Sequence, residues 1–92
     1  MEETLELPLI SNFLGISIFM DFDDHNSPLF QAEYNEDFAQ IAIDPISVIY
    51  SKLPARALGL VFEWATEHQD ELLMNWNSLR ADGGFKKIAP LV

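Results

Sequence analysis

The residue types best suited to chemistry are concentrated in the segment Asp21-Phe22-Asp23-Asp24-His25-Asn26-Ser27-Pro28. Its carboxylates and imidazole can hold a hard divalent cation or exchange protons, and Glu33 follows closely enough to meet them across a hairpin. The segment does not match an EF-hand loop, because His25, Asn26 and Ala32 replace an oxygen ligand, the glycine and the final glutamate. A turn rich in Asp, Asn and Pro is also a common structural element. Both a binding role and a purely structural one therefore stay open.

Other catalytic chemistries lack the residues they need. The chain has no cysteine, which excludes disulfides, thiolate zinc sites and a cysteine nucleophile. With only two histidines, a tightly held catalytic zinc is not expected, and His68 is interpreted as a cap or surface residue. No serine lies in a glycine-flanked elbow and no phosphate-binding glycine loop is present. The sequence therefore predicts no resident cofactor, with a divalent cation at the Asp21 to His25 turn as the open alternative, and makes an enzyme the less favoured class.

The charge is unevenly distributed along the chain. Residues 1–51 contain ten Asp and Glu and no Lys or Arg, whereas residues 52–92 contain five of each sign, for a net charge of -10. Because nucleic-acid affinity depends largely on Lys and Arg contacts with phosphates, direct DNA or RNA binding is not expected. An acidic surface suits a basic partner protein or a divalent cation, although it also improves solubility without any partner. Mimicry of nucleic acid is a third interpretation of the charge.

Length and hydropathy indicate one domain. A chain of 92 residues can build one hydrophobic core and is too short for two. The apolar stretch from Leu7 to Met20 follows three glutamates and is interrupted by polar residues, so neither a signal peptide nor a membrane span is expected. A cytoplasmic location, with no membrane association, is predicted.

Alternating polarity predicts a β-rich first half. Strands are expected where apolar side chains recur at every second residue and turn-forming residues follow, over Ile16–Asp21, Leu29–Tyr34 and Phe38–Ile43. A short fourth strand is predicted over Ile46–Tyr50. Residues 5–10 are expected to pair at an edge, where Pro8 is tolerated.

The periodicity becomes helical after Ser51. An apolar face that includes Leu53, Leu60 and Trp64 predicts one helix, and a second set around Trp76 predicts another. An unbroken helix would be about 42 Å long, too long for a domain of this size, so a break is expected between His68 and Asp70. Trp64 and Trp76 are predicted to lie in the core, Gly83-Gly84 to end the second helix, and the tail to pack back through Phe85, Ile88 and Leu91.

The predicted architecture is α+β: a small antiparallel meander of three to four strands followed by two C-terminal helices packed on one face. It forms one domain over residues 1–92, β-rich over 5–51 and helical over 53–81, with a C-terminal tail over 82–92. The residues predicted to bind a ligand or partner are Asp21, Asp23, Asp24, His25, Glu33 and Arg56. The first four are also the candidate metal ligands.

The chain resembles the bacterial domain of unknown function 4160 family over residues 7–91, nearly its whole length. The pieces that carry the resemblance are Leu7 to Ile16, Asp24-His25-Asn26, Ala32-Glu33-Tyr34, Leu53 to Leu58, Glu63-Trp64-Ala65, His68, Glu71-Leu72, Asn75-Trp76 and Ile88-Ala89-Pro90-Leu91. Members of that family typically read Pro-Pro-His-Phe-His-Ala after the turn. Here Leu29 and Gln31 stand in place of both histidines. Leucine cannot replace a histidine in metal binding or proton transfer and glutamine offers only a neutral amide, so whether any chemistry that this pair performs in relatives carries over stays open.

The resemblance implies membership of small toxin-antitoxin-type operons and hence a co-encoded partner protein. The leading hypothesis is a protein-interaction module, the toxin-like or regulatory member of such a pair. The alternative is a weak metal-dependent hydrolase or nuclease that uses the Asp21, Asp23, Asp24 and His25 turn. Homo-oligomerisation is compatible with either hypothesis.

Overall fold

The computed structural model describes residues 8–20 and 27–92, which form an antiparallel sheet followed by two helices. The α+β prediction is confirmed. The elements are β1 (Leu9–Phe13), β2 (Ile16–Phe19), β3 (Leu29–Tyr34), β4 (Asp37–Ile43), β5 (Ile46–Ser51), α1 (Ala55–Glu67) and α2 (Gln69–Asp82).

The sheet has five strands in the order β1-β2-β3-β4-β5, so the prediction of three to four strands was too low. The additional strand is β1, which lies further along the chain than the edge strand predicted over 5–10; residues 5–7 of that prediction lie outside the described part. The register between β1 and β2 shifts between Leu9 and Ser11, which makes Ile10 the extra residue of a bulge. Both Ile10 and Ser11 are buried, so this strand lacks the alternation by which strands are recognised.

A tight turn joins β1 to β2. Leu14 and Gly15 both have positive φ, at 52° and 82°, as a two-residue hairpin turn of type I′ requires. Glycine adopts this conformation without strain, whereas leucine does so rarely. A Cβ at position 15 would also lie 3.3 Å from the ring of Tyr34. The pair therefore fixes the hairpin register and leaves the Leu14 side chain exposed at its tip.

One face of the sheet packs against the helices. The alternation predicted for β2, β3 and β4 is confirmed, since their inward side chains are fully buried: Ile16, Ile18, Phe30, Ala32, Ala39, Ile41 and Ile43. From the helical layer Val61, Trp64, Leu72 and Trp76 enter the same core. Because both helices and the tail contact this face, the opposite face of the sheet is left uncovered by any described element.

The helical part of the chain is divided into two helices near the position predicted from its length. α1 ends at Glu67 and α2 begins at Gln69, with His68 between them at φ -123°, which confirms the predicted break. The backbone N–H of His68 donates to the carbonyl oxygens of Trp64 and Ala65. Gly83 ends α2 in the left-handed conformation at φ 83°, as predicted. Within the described residues, no helix is long and apolar enough to cross a membrane.

The C-terminal tail packs back across the fold. Ile88 is buried and its N–H donates to the carbonyl oxygen of Ile10 at 2.9 Å. The indole Nε1 of Trp64 donates to the carbonyl oxygen of Ala89 at 2.8 Å. Leu91 packs against the core as predicted, but the Phe85 side chain remains 39% exposed. The tail therefore covers the outer edge of β1 and completes the core.

Candidate functional site

The site residues predicted from the sequence form three groups: four that the structure does not describe, Glu33, and Arg56. Asp21, Asp23, Asp24 and His25 lie outside the described residues, so their role stays a prediction. In residues 8–20 and 27–92, no three His, Asp or Glu side chains come together as metal ligands would. The divalent-cation and hydrolase hypotheses thus depend on the turn between β2 and β3.

Glu33 lies on the uncovered face of the sheet. It is exposed in β3, between the inward-facing residues Ala32 and Tyr34, and its register partners are Ser17 on β2 and Phe38 on β4. The row formed by Phe19 and Gln31 separates it from the connection that follows β2. Its nearest described neighbours are therefore side chains of the uncovered face, an aromatic ring among them.

Arg56 lies on the other side of the sheet, near the start of α1. It borders a groove of about 380 Å³ whose other lining residues are Leu14, Ile16, Tyr34, Pro54, Ala57 and Leu60. The guanidinium makes no ion pair or hydrogen bond with the described residues. Glu33 follows Ala32 and precedes the groove residue Tyr34 in β3, but its side chain faces the uncovered side of the sheet. The sheet therefore lies between Arg56 and Glu33, and the structure does not bring them together.

The uncovered face contains an aromatic pair that sequence reasoning missed. The rings of Phe38 and Tyr50 lie 5.2 Å apart between centroids, and both side chains remain about 40% exposed. Tyr50 is opposite Gln40, which faces away from the core. Together with Glu33, these residues define the open face: Glu33, Phe38, Gln40 and Tyr50. It combines aromatic rings with one carboxylate, a composition typical of recognition surfaces.

A second bulge explains why the sequence did not predict the aromatic pair. Gln40 is opposite Tyr50, but the next residue, Ile41, is opposite Val48, so Ile49 is an extra residue in β5. A count of alternating residues that ignores the bulge misplaces Tyr50 by one residue relative to β4 and assigns its side chain to the wrong face of the sheet. The absence of charge in Ile46–Ser51 is equally typical of a buried strand, and only the structure shows that four of its six residues are exposed.

The outer edge of β5 is free within the described chain. β5 is the last strand of the sheet, so the backbone N–H and C=O groups that point away from β4 have no strand partner there. Val48 and Ile49 add exposed apolar side chains, at 42% and 53%. At the opposite edge, the tail covers β1 through the bond between Ile88 and Ile10. The two edges of the sheet are therefore not equivalent.

His68, which sequence analysis interpreted as a cap or surface residue, lies partly buried at the helix junction. Its ring packs 5.5 Å from the Trp64 ring between centroids, and its Nδ1 contacts a carboxylate oxygen of Glu71 one turn into α2. His68 is the C-cap residue of α1, through its backbone N–H, and the N-cap residue of α2, where its side chain makes no capping hydrogen bond. The His68 ring thus packs against Trp64 and its Nδ1 contacts Glu71. Its position is explained by these two contacts without a ligand.

Comparison with known proteins matches the chain to a family model. The model of a family described as "Domain of unknown function (DUF4160)" matches residues 15–77, which include β2 to β5, α1 and most of α2. No curated protein matches the chain and no solved structure matches it.

Proposed function

This chain belongs to the DUF4160 family, and we propose that it is a protein-interaction module that binds a basic partner protein on the open face of its sheet. The observation that carries the proposal is the exposed Phe38 and Tyr50 pair beside Glu33 on a face that no described element covers. Aromatic residues that are both exposed and mutually packed are ordered before binding, which reduces the entropy cost of forming an interface.

Charge supports a basic partner. The four residues of the open face include one carboxylate, that of Glu33, and no Lys or Arg, and the nearest basic residue is Lys52, whose N–H donates to the Phe38 carbonyl oxygen. An interface at this face places Glu33 in contact with the partner next to apolar rings, where a Lys or Arg of the partner is favoured over a carboxylate. The finer part of the proposal is that the chain is the toxin-like or regulatory member of a small bacterial toxin-antitoxin-type pair, with a co-encoded partner.

The test is affinity purification of the tagged chain from the bacterium that encodes it, at low and moderate salt. We expect a small basic protein in stoichiometric amount. The Phe38→Ala and Glu33→Lys variants are expected to weaken binding of the purified partner at least tenfold in calorimetric titration, because they remove an aromatic contact and reverse the charge.

Glu63→Lys is the matched control, since it makes the same charge change at an exposed position of α1. It is expected to retain the partner. Equal losses in Glu33→Lys and Glu63→Lys would reduce the effect to net charge and contradict a docking site on the open face. Recovery of no stoichiometric partner at either salt concentration would contradict the proposed function itself.

A further inference from the structure

We propose that the groove between the β1–β2 hairpin and the start of α1 binds a small-molecule carboxylate that has an apolar chain. Arg56 borders this groove, and Leu14 at the hairpin tip lines it. This inference goes beyond the proposed function, because the groove lies on the helical side of the sheet and its occupant is a small molecule rather than a protein.

The size and lining of the groove are those of a small-molecule site. Its volume of about 380 Å³ falls in the range of about 300 to 1,000 Å³ that such sites occupy. A stable protein interface uses roughly 20 to 30 residues per partner, whereas seven residues line this groove. Apart from Tyr34 and Arg56, the lining side chains are all apolar: Leu14, Ile16, Pro54, Ala57 and Leu60. The lining therefore suits an apolar chain with one polar end.

The charge of the groove favours an anion. Arg56 is exposed and makes no ion pair with the described residues. The residues three and four positions further along α1 are Gly59 and Leu60, so the helix supplies no carboxylate where an intrahelical ion pair would form. No Asp or Glu lines the groove, although the chain contains 15, and Asp37, which is opposite Tyr34 in the sheet, is not part of the lining. The guanidinium is thus available to an external anion.

A carboxylate fits this groove better than a phosphate. A guanidinium can donate two parallel N–H bonds to a carboxylate, whose single charge it neutralises. A phosphate monoester has a charge of about -1.5 to -2 at neutral pH, and Arg56 is the one basic residue that lines the groove in the described part of the chain. The remaining charge would therefore lie against apolar side chains, which is unfavourable. The first turn of α1 has no acidic residue and no side-chain cap, so its backbone N–H groups add donors beside the guanidinium.

Leu14 gives separate support for an apolar chain. Its φ of 52° is unfavourable for leucine, and a type I′ turn favours Asn before Gly at this position. The Leu14 side chain is 55% exposed, so packing within the chain offsets little of this backbone cost. An exposed leucine that lines a groove in a strained conformation is explained by contact with an apolar ligand.

The test is a titration of the isotope-labelled chain with octanoate and with octanamide, followed by NMR chemical shifts. At roughly 30 Å³ per water-sized volume, the groove has room for on the order of a dozen non-hydrogen atoms, which suits a chain of this length. The two probes have the same shape and differ in charge. We expect the shifts to be concentrated at the amides of the groove residues, and octanoate to bind at least about tenfold more tightly than octanamide.

Two variants separate the contribution of charge from that of the apolar lining. Arg56→Gln is expected to bring the dissociation constants of the two probes to within about twofold of each other, whereas Arg80→Gln, the same change on α2, keeps the preference for octanoate. Leu14→Asn is expected to weaken both probes by about three- to tenfold, since it removes apolar contact. Because Asn adopts a positive φ more readily than leucine, thermal unfolding of Leu14→Asn is expected at the original temperature or above it, so weaker binding cannot be assigned to loss of the fold.

Three results would overturn the proposal. The first is the absence of shifts at the groove residues up to about 10 mM octanoate, and the second is a preference for octanoate that survives Arg56→Gln. The third is binding that Leu14→Asn leaves unchanged, which would place the apolar contact elsewhere. Phe38→Ala and Glu33→Lys, which test the open face on the other side of the sheet, are expected to leave octanoate binding unchanged. The two proposals therefore fail separately.

Discussion

Asn75 and Lys86 are joined by two hydrogen bonds: the Asn75 Nδ2 donates to the Lys86 carbonyl oxygen at 2.8 Å, and the Lys86 N–H donates to the Asn75 Oδ1 at 2.9 Å. The Asn75 side chain is buried on α2, so it satisfies one donor and one acceptor of the tail where water has little access. The Asn75 side chain thus anchors the start of the C-terminal tail, whose residues Ile88 and Leu91 pack against the core.

Asn75→Asp is expected to lower the free energy of unfolding by about 1 to 3 kcal/mol, because a carboxylate oxygen would then face the Lys86 carbonyl with no donor between them. Urea denaturation followed by circular dichroism measures the loss. Asn77→Asp, at an exposed position of the same helix, makes the same chemical change and is expected to cost little. Similar losses in both variants would show that the effect comes from the helix rather than from the tail contact.

Two glycines are expected to respond to alanine with opposite signs. Gly83 has a φ of 83° and open space around its Cβ position, so Gly83→Ala is expected to destabilise the chain by about 1 kcal/mol through backbone strain alone. Gly59 lies in α1 with no atom within 4 Å of its Cβ position, and Gly59→Ala is expected to stabilise by about 0.5 to 1 kcal/mol. Thermal unfolding of the two variants checks the contrast; a shift in the same direction for both would refute it.

Trp64→Phe is expected to release the tail as well as weaken the core. The indole is fully buried, contacts Phe13 and Phe30, and donates to the Ala89 carbonyl. Loss of the ring volume and of this hydrogen bond is expected to cost about 2 to 4 kcal/mol.

Hydrogen exchange at the Ile88 amide, which donates to Ile10, separates the two effects. Trp76→Phe is the control, since Trp76 is also buried and makes no side-chain hydrogen bond to the tail among the described residues. At equal global stability, adjusted with denaturant, exchange of the Ile88 amide is expected to be faster in Trp64→Phe than in Trp76→Phe. Equal rates would mean that the Ala89 contact does not hold the tail.

Arg56→Gln is expected to change the free energy of unfolding by less than about 0.5 kcal/mol, because the side chain is exposed and makes no ion pair with the described residues. Arg80→Gln is the comparison, since the Arg80 guanidinium lies 5.7 Å from the Trp76 ring centroid and its loss is expected to cost about 0.5 to 1 kcal/mol. Urea denaturation of both variants decides the order. A larger loss at Arg56 would show that the groove at the start of α1 contributes to folding.

The predicted elements were correct where a single physical constraint dominated. Strands β2, β3 and β4 have one buried and one exposed face, so their side chains alternate in polarity without interruption. The break at His68 followed from the length of the apolar pattern and the diameter of a small domain. Gly83 ended α2 because only the left-handed conformation satisfies the last carbonyl groups there.

Features that depend on contacts between distant residues were not predictable. The bulges at Ile10 and Ile49 each shift a strand by one residue, which concealed β1 and the position of Tyr50. The bonds from Asn75 to Lys86 and from Trp64 to Ala89 join residues 11 and 25 positions apart, and no local pattern encodes them. Glu33 and Arg56 were selected by type and charge, and their placement on opposite sides of the sheet required the strand register.

The uncovered side of the sheet has a consequence for how this chain can diversify. Folding depends on the side where Trp64, Asn75 and the tail meet the core, and the side chains of Glu33, Phe38 and Tyr50 take no part in that core. Under the proposed function, substitutions at these three positions are therefore expected to change partner recognition at a smaller cost in stability than substitutions in the core. A lineage of such chains would then change its binding specificity while the scaffold beneath stays the same.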